Sequence, residues 1–289
     1  MWHHRPMQGV EHYENFPVAS WLCPPALRPP IAAIYHFART ADDLADEGQA
    51  SAEQRLSDLT SYRAALEQAL AGGYTPEGPW PEVFGPLQRQ ITRHRLPAQP
   101  LCDLLSAFEQ DVHHTENGTR YPDMSSLLDY CRRSANPVGR LLLHLYGVHD
   151  DTSLTQSDAI CSALQLVNFW QDLSLDLPRQ RHYLPMDALR KHGVSEPDLL
   201  TGAKHPNHDA AEAMVRELVD HARALMLTGA PLAVRLPGRA GWELRLVVQG
   251  GLRILDKIAQ LKYRTWHKRP RLRAADLPVM LWHAARMRR

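Results

Sequence analysis

Cysteine is scarce: Cys23, Cys102, Cys131 and Cys161 lie far apart, and no two form a CxxC pair. Such spacing argues against a disulfide framework or a zinc site and suits a reducing cytoplasm. Long apolar runs are missing too, since none approaches the ~18 residues that a membrane-spanning helix needs. The N-terminal MWHHRPMQGVEHYENF has no continuous apolar stretch, so no secretory signal is expected there. Neither charge sign is in excess, with Lys+Arg 33 against Asp+Glu 32 and a net charge of +1. That balance provides no strong positive field and excludes bulk nucleic-acid binding. Strand-like alternation is sparse, no repeat of fixed period occurs, and no GxGxxG dinucleotide fingerprint is found. The histidine pairs His3-His4 and His113-His114 lack a partner at metal-ligand spacing and read as surface or core residues.

The chain does have apolar residues at helical spacing. Of its 289 residues 44% are hydrophobic, enough to bury a core. The spacing predicts helices over 31–46, 52–70, 81–94, 101–113, 125–133, 138–146, 155–174, 210–227 and 244–264, with a loop and a short helix within 182–193. Most prolines fall between these segments, though Pro81 and Pro86 lie in 81–94, and the tail from Pro270 reads as basic with a short apolar turn. The expectation is an all-α protein of about ten helices, forming a single domain over 1–289.

Two acidic stripes stand out. In YHFARTADDLADE, Asp42 and Asp46 lie one helical turn apart, with Arg39 and Tyr35 on the same face. Like charges at i, i+4 destabilise a helix unless something positive lies between them, and a magnesium ion is a good candidate. A solvated acidic helix end is the plainer reading of this stretch alone. The second stripe breaks the tie. Gln165, Asn168, Asp172 and Asp176 fall on one face of a helix that is otherwise apolar. Polar groups on such a helix are costly to bury without partners, and this set suits an oxygen-loving cation and its ligand. Two facing aspartate pairs would hold Mg²⁺ and a diphosphate, assisting ionisation of a carbon–oxygen bond. Apolar helices around them would shield a carbocation from water.

These segments resemble the squalene/phytoene synthase family, of the isoprenoid synthase fold. Tyr35, Arg39, Asp42, Asp43 and Asp46 resemble its first aspartate-rich motif. Asp129-Tyr130-Cys131 with Pro137-Val138-Gly139 resembles a central segment. Gln165, Asn168, Asp172 and Asp176, then Arg181-His182-Tyr183-Leu184-Pro185, resemble the second motif and the arginine-tyrosine that follows it. Asn15, Asn136-Pro137 and Gln171 are departures that resemble the hydroxysqualene synthase branch, and Gln171 stands where other branches carry an arginine.

The resemblance implies a helical bundle with a central active-site cavity and presqualene diphosphate as substrate. It implies Mg²⁺ or metal-bound diphosphate at Asp42, Asp46, Asn168, Asp172 and Asp176, and Arg39 on the diphosphate. Tyr35, Asn15, Gln165, Tyr183 and Lys268 become substrate-binding candidates. The reaction implied loses diphosphate and adds water, giving hydroxysqualene in squalene and hopanoid biosynthesis, with no NADPH. The alternatives are a head-to-head prenyl transferase making presqualene diphosphate, squalene or phytoene, and a non-catalytic assembly or lipid-binding protein. Enzymes upstream and downstream in the squalene pathway are the partners it suggests. Phe37, Leu142, Leu145 and Phe169 read as ordinary core or as lining of a prenyl tunnel. From Lys257 onward there are ten Lys/Arg and one acid, Asp276. That tail is either a solvated surface or a peripheral contact with an anionic membrane.

Overall fold

The computed structural model describes residues 23–200 and 208–287. Among them every regular element is helical. In chain order these are α1 (Arg28–Asp46), α2 (Ala52–Leu70), α3 (Pro81–His94), α4 (Ala98–Asn117), α5 (Met124–Ser134), α6 (Asn136–Leu145) and α7 (Asp151–Gln171). There follow α8 (Leu173–Asp176), α9 (Met186–His192), α10 (Glu196–Leu200), α11 (His208–Gly229), α12 (Pro231–Arg235), α13 (Gly238–Gln260) and α14 (Leu277–Arg286).

Local chemistry sets many of the boundaries. Prolines stand in the first turns of α1, α3 and α6, where the missing N–H costs nothing. Ser51, Asp123 and Asp150 cap α2, α5 and α7 by accepting from the backbone N–H of Gln54, Ser126 and Ser153. α7 is apolar nearly all round: Ala159, Ile160, Ala163, Leu166, Val167, Phe169 and Trp170 are buried. A helix of that kind belongs at the centre of a bundle, and α7 packs against α5, α6, α11 and α13. One core cluster lies among α1–α4, around Phe37, Tyr62 and Phe84. A second joins α4, α5, α7, α9, α11 and α13, and a third lies under α12 and the start of α13.

Two glycines permit close crossings. A Cβ on Gly139 of α6 would lie 2.4 Å from Ser157 Oγ and 2.6 Å from Cys161 Sγ of α7. One on Gly251 of α13 would meet Met226 Cε at 2.7 Å.

The helices differ from the sequence expectation in three places. The segment 155–174 is not one helix, because α7 ends at Gln171 and Asp172 leaves helical geometry at φ −104°, ψ 12°. The expected helix 244–264 starts earlier and stops at Gln260, because Lys262 and Tyr263 adopt positive φ (53° and 64°) and turn the chain back. The short apolar turn of the tail is a full helix, α14, packed on α13. Phe37 is core: its ring stacks on Tyr62, whose Oη donates to the Phe37 carbonyl at 3.0 Å.

Candidate active site

The first acidic stripe occupies the last turns of α1. Ala33, Ile34, Phe37, Ala41 and Ala45 bury one side of that helix, so Tyr35, Arg39, Asp42 and Asp46 lie to the other side, half-buried. Arg39 pairs with both Asp42 (3.0 Å) and Asp43 (2.7 Å). Burial pushes the Asp42 carboxyl up to about 7, with further repulsion from Asp46, against the opposing pull of Arg39.

The second stripe straddles the break after α7. Gln165 and Asn168 are half-buried on the last turns of α7, Asp172 is its C-cap, and Asp176 closes α8. The break does not separate the two acids, because the Asp176 N–H still donates to the Asp172 carbonyl at 2.9 Å. Burial pushes Asp176 up to about 7 as well, and Asp172 adds repulsion.

Arg181 joins the two stripes. Its backbone N–H donates to the Asp176 carbonyl (3.0 Å), and its guanidinium donates to Asp46 Oδ2 at 2.5 Å. One residue therefore anchors on the second motif and reaches the first, 135 positions away in sequence.

A third acid lies in this group. Asp111 on α4 accepts from Tyr130 Oη at 2.6 Å. Burial pushes its carboxyl up to about 7; Tyr130 and Arg181 pull it down, and Asp42 and Asp46 push it up. Sequence reasoning did not single out Asp111. The signal was an acid in register with Leu104 and Ala107 on the buried stripe of α4.

Tyr183 closes one side, stacked on Phe169 with centroids 3.9 Å apart and planes at 12°. Tyr121 and Tyr130 lie 6.2 Å from it; Tyr121 and Tyr183 line the small cavity beside Arg181 and Asp111, and Tyr130 and Phe169 are buried in the same aromatic cluster.

The basic residue from the C-terminal segment is Arg269. Its guanidinium forks onto Asp172, with Nη2–Oδ2 at 3.0 Å and Nε on Oδ1. Lys268, the residue singled out by resemblance, is exposed. Gln171 explains how the segment is held: it is wholly buried, and its Nε2 donates to the Pro270 carbonyl at 2.7 Å. The cation that the sequence lacks at position 171 thus arrives beside Asp172 from a hundred residues downstream. Asn136 is internal, accepting from Ser162 Oγ at 2.8 Å. Asn15 lies outside the described residues.

The family model for squalene/phytoene synthase matches residues 10–276. The chain belongs to the squalene/phytoene synthase family. It is 36% identical over 236 residues to a hydroxysqualene synthase of Rhodopseudomonas palustris, covering 81% of this chain and 75% of that one. To a presqualene diphosphate synthase of the same organism it is 29% identical over 191 residues, covering 66% and 65%. The crystal structure of squalene synthase HpnC from Alicyclobacillus acidocaldarius superposes with a TM-score of 0.76 at 36% identity, covering 87% of this chain and 90% of that chain. Members of this family process prenyl diphosphates.

The donor set suits a hard divalent cation. Among the described residues there is no preformed cluster of three or more His, Cys, Asp or Glu for a metal. Asp46 Oδ1, however, is buried without a hydrogen-bond partner, and Asp42 and Asp176 are held by burial and like charge near the point of protonation. Magnesium is commonly held by one or two carboxylates plus substrate phosphates rather than by an all-protein cage. Carboxylates short of positive charge, flanked by arginines, fit that pattern.

Proposed function

We propose that this protein is a hydroxysqualene synthase, converting presqualene diphosphate and water to hydroxysqualene and diphosphate. The observation that carries this reading is Arg181, which binds the first acidic motif to the second and makes one anionic site of them. The higher identity to a hydroxysqualene synthase than to a presqualene diphosphate synthase of the same organism supports the choice within the family.

Asp42 and Asp46 on one side, and Asn168, Asp172 and Asp176 on the other, would hold Mg²⁺, which supplies charge neutralisation of the diphosphate leaving group. Arg39, Arg181 and Arg269 bind and orient the diphosphate oxygens, and guanidinium forks suit that geometry. Each of the three is now paired with a carboxylate, so substrate exchanges one anion for another. Tyr121 and Tyr183 present π surfaces that favour a carbocation and exclude water from it, and the buried rings of Tyr130 and Phe169 back them. Tyr35 and Gln165 extend the pocket along α1 and α7. No hydride is needed: the carbon–oxygen bond to diphosphate breaks, the cyclopropylcarbinyl cation rearranges with opening of its ring to a double bond, and a carbon–oxygen bond from water forms as that water gives its proton to the departing diphosphate or to solvent. The reaction belongs to squalene and hopanoid biosynthesis.

A second reading, a transferase making presqualene diphosphate, is favoured by Arg269, which restores beside Asp172 the cation that a second diphosphate needs. Incubation of the purified protein with Mg²⁺ and presqualene diphosphate, without NADPH, separates the two. Mass analysis is expected to find hydroxysqualene. Turnover of farnesyl diphosphate alone would establish the transferase instead.

A further inference from the structure

The C-terminal helix α14 turns its apolar residues outward. Leu277, Val279, Leu281 and Trp282 are 50%, 39%, 44% and 58% exposed. With about 100° between successive residues, Leu277, Leu281, Ala285, Pro278 and Trp282 fill a continuous arc of about 140°. The body of the protein is met beside this arc, where Ala284 is buried, and across the rest of the helix, where Val279, Met280 and His283 line a groove against α13. An amphipathic helix of a soluble bundle is expected to do the reverse.

The exposed charge of the tail has one sign, and Asp256 of α13, which shares the groove with Val279 and His283, is paired with Arg223 at 2.8 Å. Asp276 is the sole acid beyond Lys257, and it is buried, clamped by Arg253 (2.8 Å) and Lys257 (2.7 Å). Arg271, Arg273 and Arg286 remain exposed at the rim. Arg286 lies over the Trp282 ring at 4.0 Å, so an indole and a cation share one edge of the arc. Tryptophan and arginine together suit the boundary between headgroups and acyl chains.

We propose that the outer face of α14 docks the protein on an anionic lipid bilayer, with Leu277, Leu281 and Trp282 entering the headgroup boundary and the rim arginines on lipid phosphates. The alternative occupant, a second copy of the chain across a two-fold axis, would set Arg271, Arg273 and Arg286 against their own copies with no exposed acid in the tail to answer them. The placement also links surface to site. Arg269, on Asp172, is eight residues from Leu277, so the docking face lies at most about 29 Å of chain from the acidic cleft. The proposal does not rest on which reaction the cleft performs.

Vesicle co-sedimentation of the full chain tests it, with phosphatidylcholine alone and with phosphatidylcholine plus phosphatidylglycerol. The protein is expected to bind the mixed vesicles, less tightly as salt is raised and weakly to phosphatidylcholine alone. The double variant L281E/W282E is expected to lose about tenfold or more in vesicle affinity. Its circular dichroism and Tm should match the parent, because both side chains are exposed. A milder variant, Trp282→Phe, identifies the contact independently: the blue shift of tryptophan emission on adding mixed vesicles should shrink. Failure of the parent protein to bind anionic vesicles would overturn the proposal, as would undiminished binding by the double variant. A dimer in sedimentation equilibrium that the double variant dissolves would assign the face to a second copy instead.

Discussion

Arg181 holds the site together, and its removal should be felt in two measurements. Replacing it with methionine removes a cation that acts on Asp42, Asp46, Asp111 and Asp176 together. Turnover of presqualene diphosphate should fall at least ~100-fold, as for loss of one preorganised charge at a reacting centre. Stability should fall by about 1.5–3 kcal/mol, the scale of a charged hydrogen bond, measured by denaturant unfolding. Gln171 behaves differently, because its side chain holds the Pro270 carbonyl, next in sequence to Arg269. Gln171→Leu should cost about 1–3 kcal/mol by leaving a buried carbonyl unpaired, and it should also weaken inorganic pyrophosphate binding. Arg269→Ala should weaken that binding too. If Gln171 acts by holding Arg269, the two changes combined should cost little more than the larger one; simple additivity would disprove the link.

Among the elements, α7 and the short α8 explain why the acidic stripe tolerates a broken helix. The ladder fails at Asp172, yet the backbone bond from Asp176 to Asp172 keeps the two side chains one turn apart. The chain then turns at Gln180, in left-handed geometry with φ 59°, and delivers Arg181 back toward α1. Alpha-helical spacing alone could not foresee that return. The crossing of α6 over α7 is the other constraint on this region. Gly139→Ala would place a methyl 2.4 Å from Ser157 Oγ, costing about 1–3 kcal/mol as the two helices separate. The loss should appear in Tm, and activity should fall with it, because α7 carries Gln165 and Asn168. Asn136, one turn from that crossing, bonds Ser162 in the interior. Its amide thus ties the start of α6 to α7.

For the molecule as a whole, the carboxylates set a pH signature. Asp42, Asp111 and Asp176 each rise from 3.8 to about 7. A carboxyl raised in the folded state binds its proton more tightly there than in the unfolded chain. Folding therefore takes up protons between about pH 4 and pH 7, and these groups lower stability as pH rises through that window. His114 and His267 are lowered from 6.5 by burial and act in the opposite sense, stability being lost as pH falls below that value. A variant isolates the carboxylate share: Asp42→Asn should raise Tm at about pH 8 and flatten its decline between about pH 5 and pH 8, while turnover is lost. Asp172→Asn should not raise Tm, because it strips Arg269 of its partner. Mg²⁺ and inorganic pyrophosphate added together should raise the Tm of the parent protein more than either alone, as ligands that bind the folded state do. A shift with Mg²⁺ alone equal to that of the pair would mean a preformed metal cage rather than one completed by phosphate.

Helix content, the acidic face of α1 and the polar face at the end of α7 are properties of local spacing, and the sequence by itself determined them. A period of ~3.6 residues assigns each side chain to a face without reference to any other part of the chain. The two aspartate stripes could thus be recognised separately, and their types and spacing were enough to point to a cation and a diphosphate. Only tertiary structure decided which cations answer them. Arg181 meets Asp46 across 135 residues, Arg269 meets Asp172 across 97, and Gln171 holds Pro270 across 99. Asp111 joins the cleft because α4 packs against α1. No periodicity encodes such pairings, since they depend on how helices cross and where the chain reverses, as it does at Gln180 and at Lys262-Tyr263. The outward apolar face of α14 belongs to the same class. Its sequence reads only as a short apolar turn in a basic tail, and that it forms a helix, and which side of it meets the protein, are decided by how α14 seats on α13 and by the ion pairs that bury Asp276 beneath it.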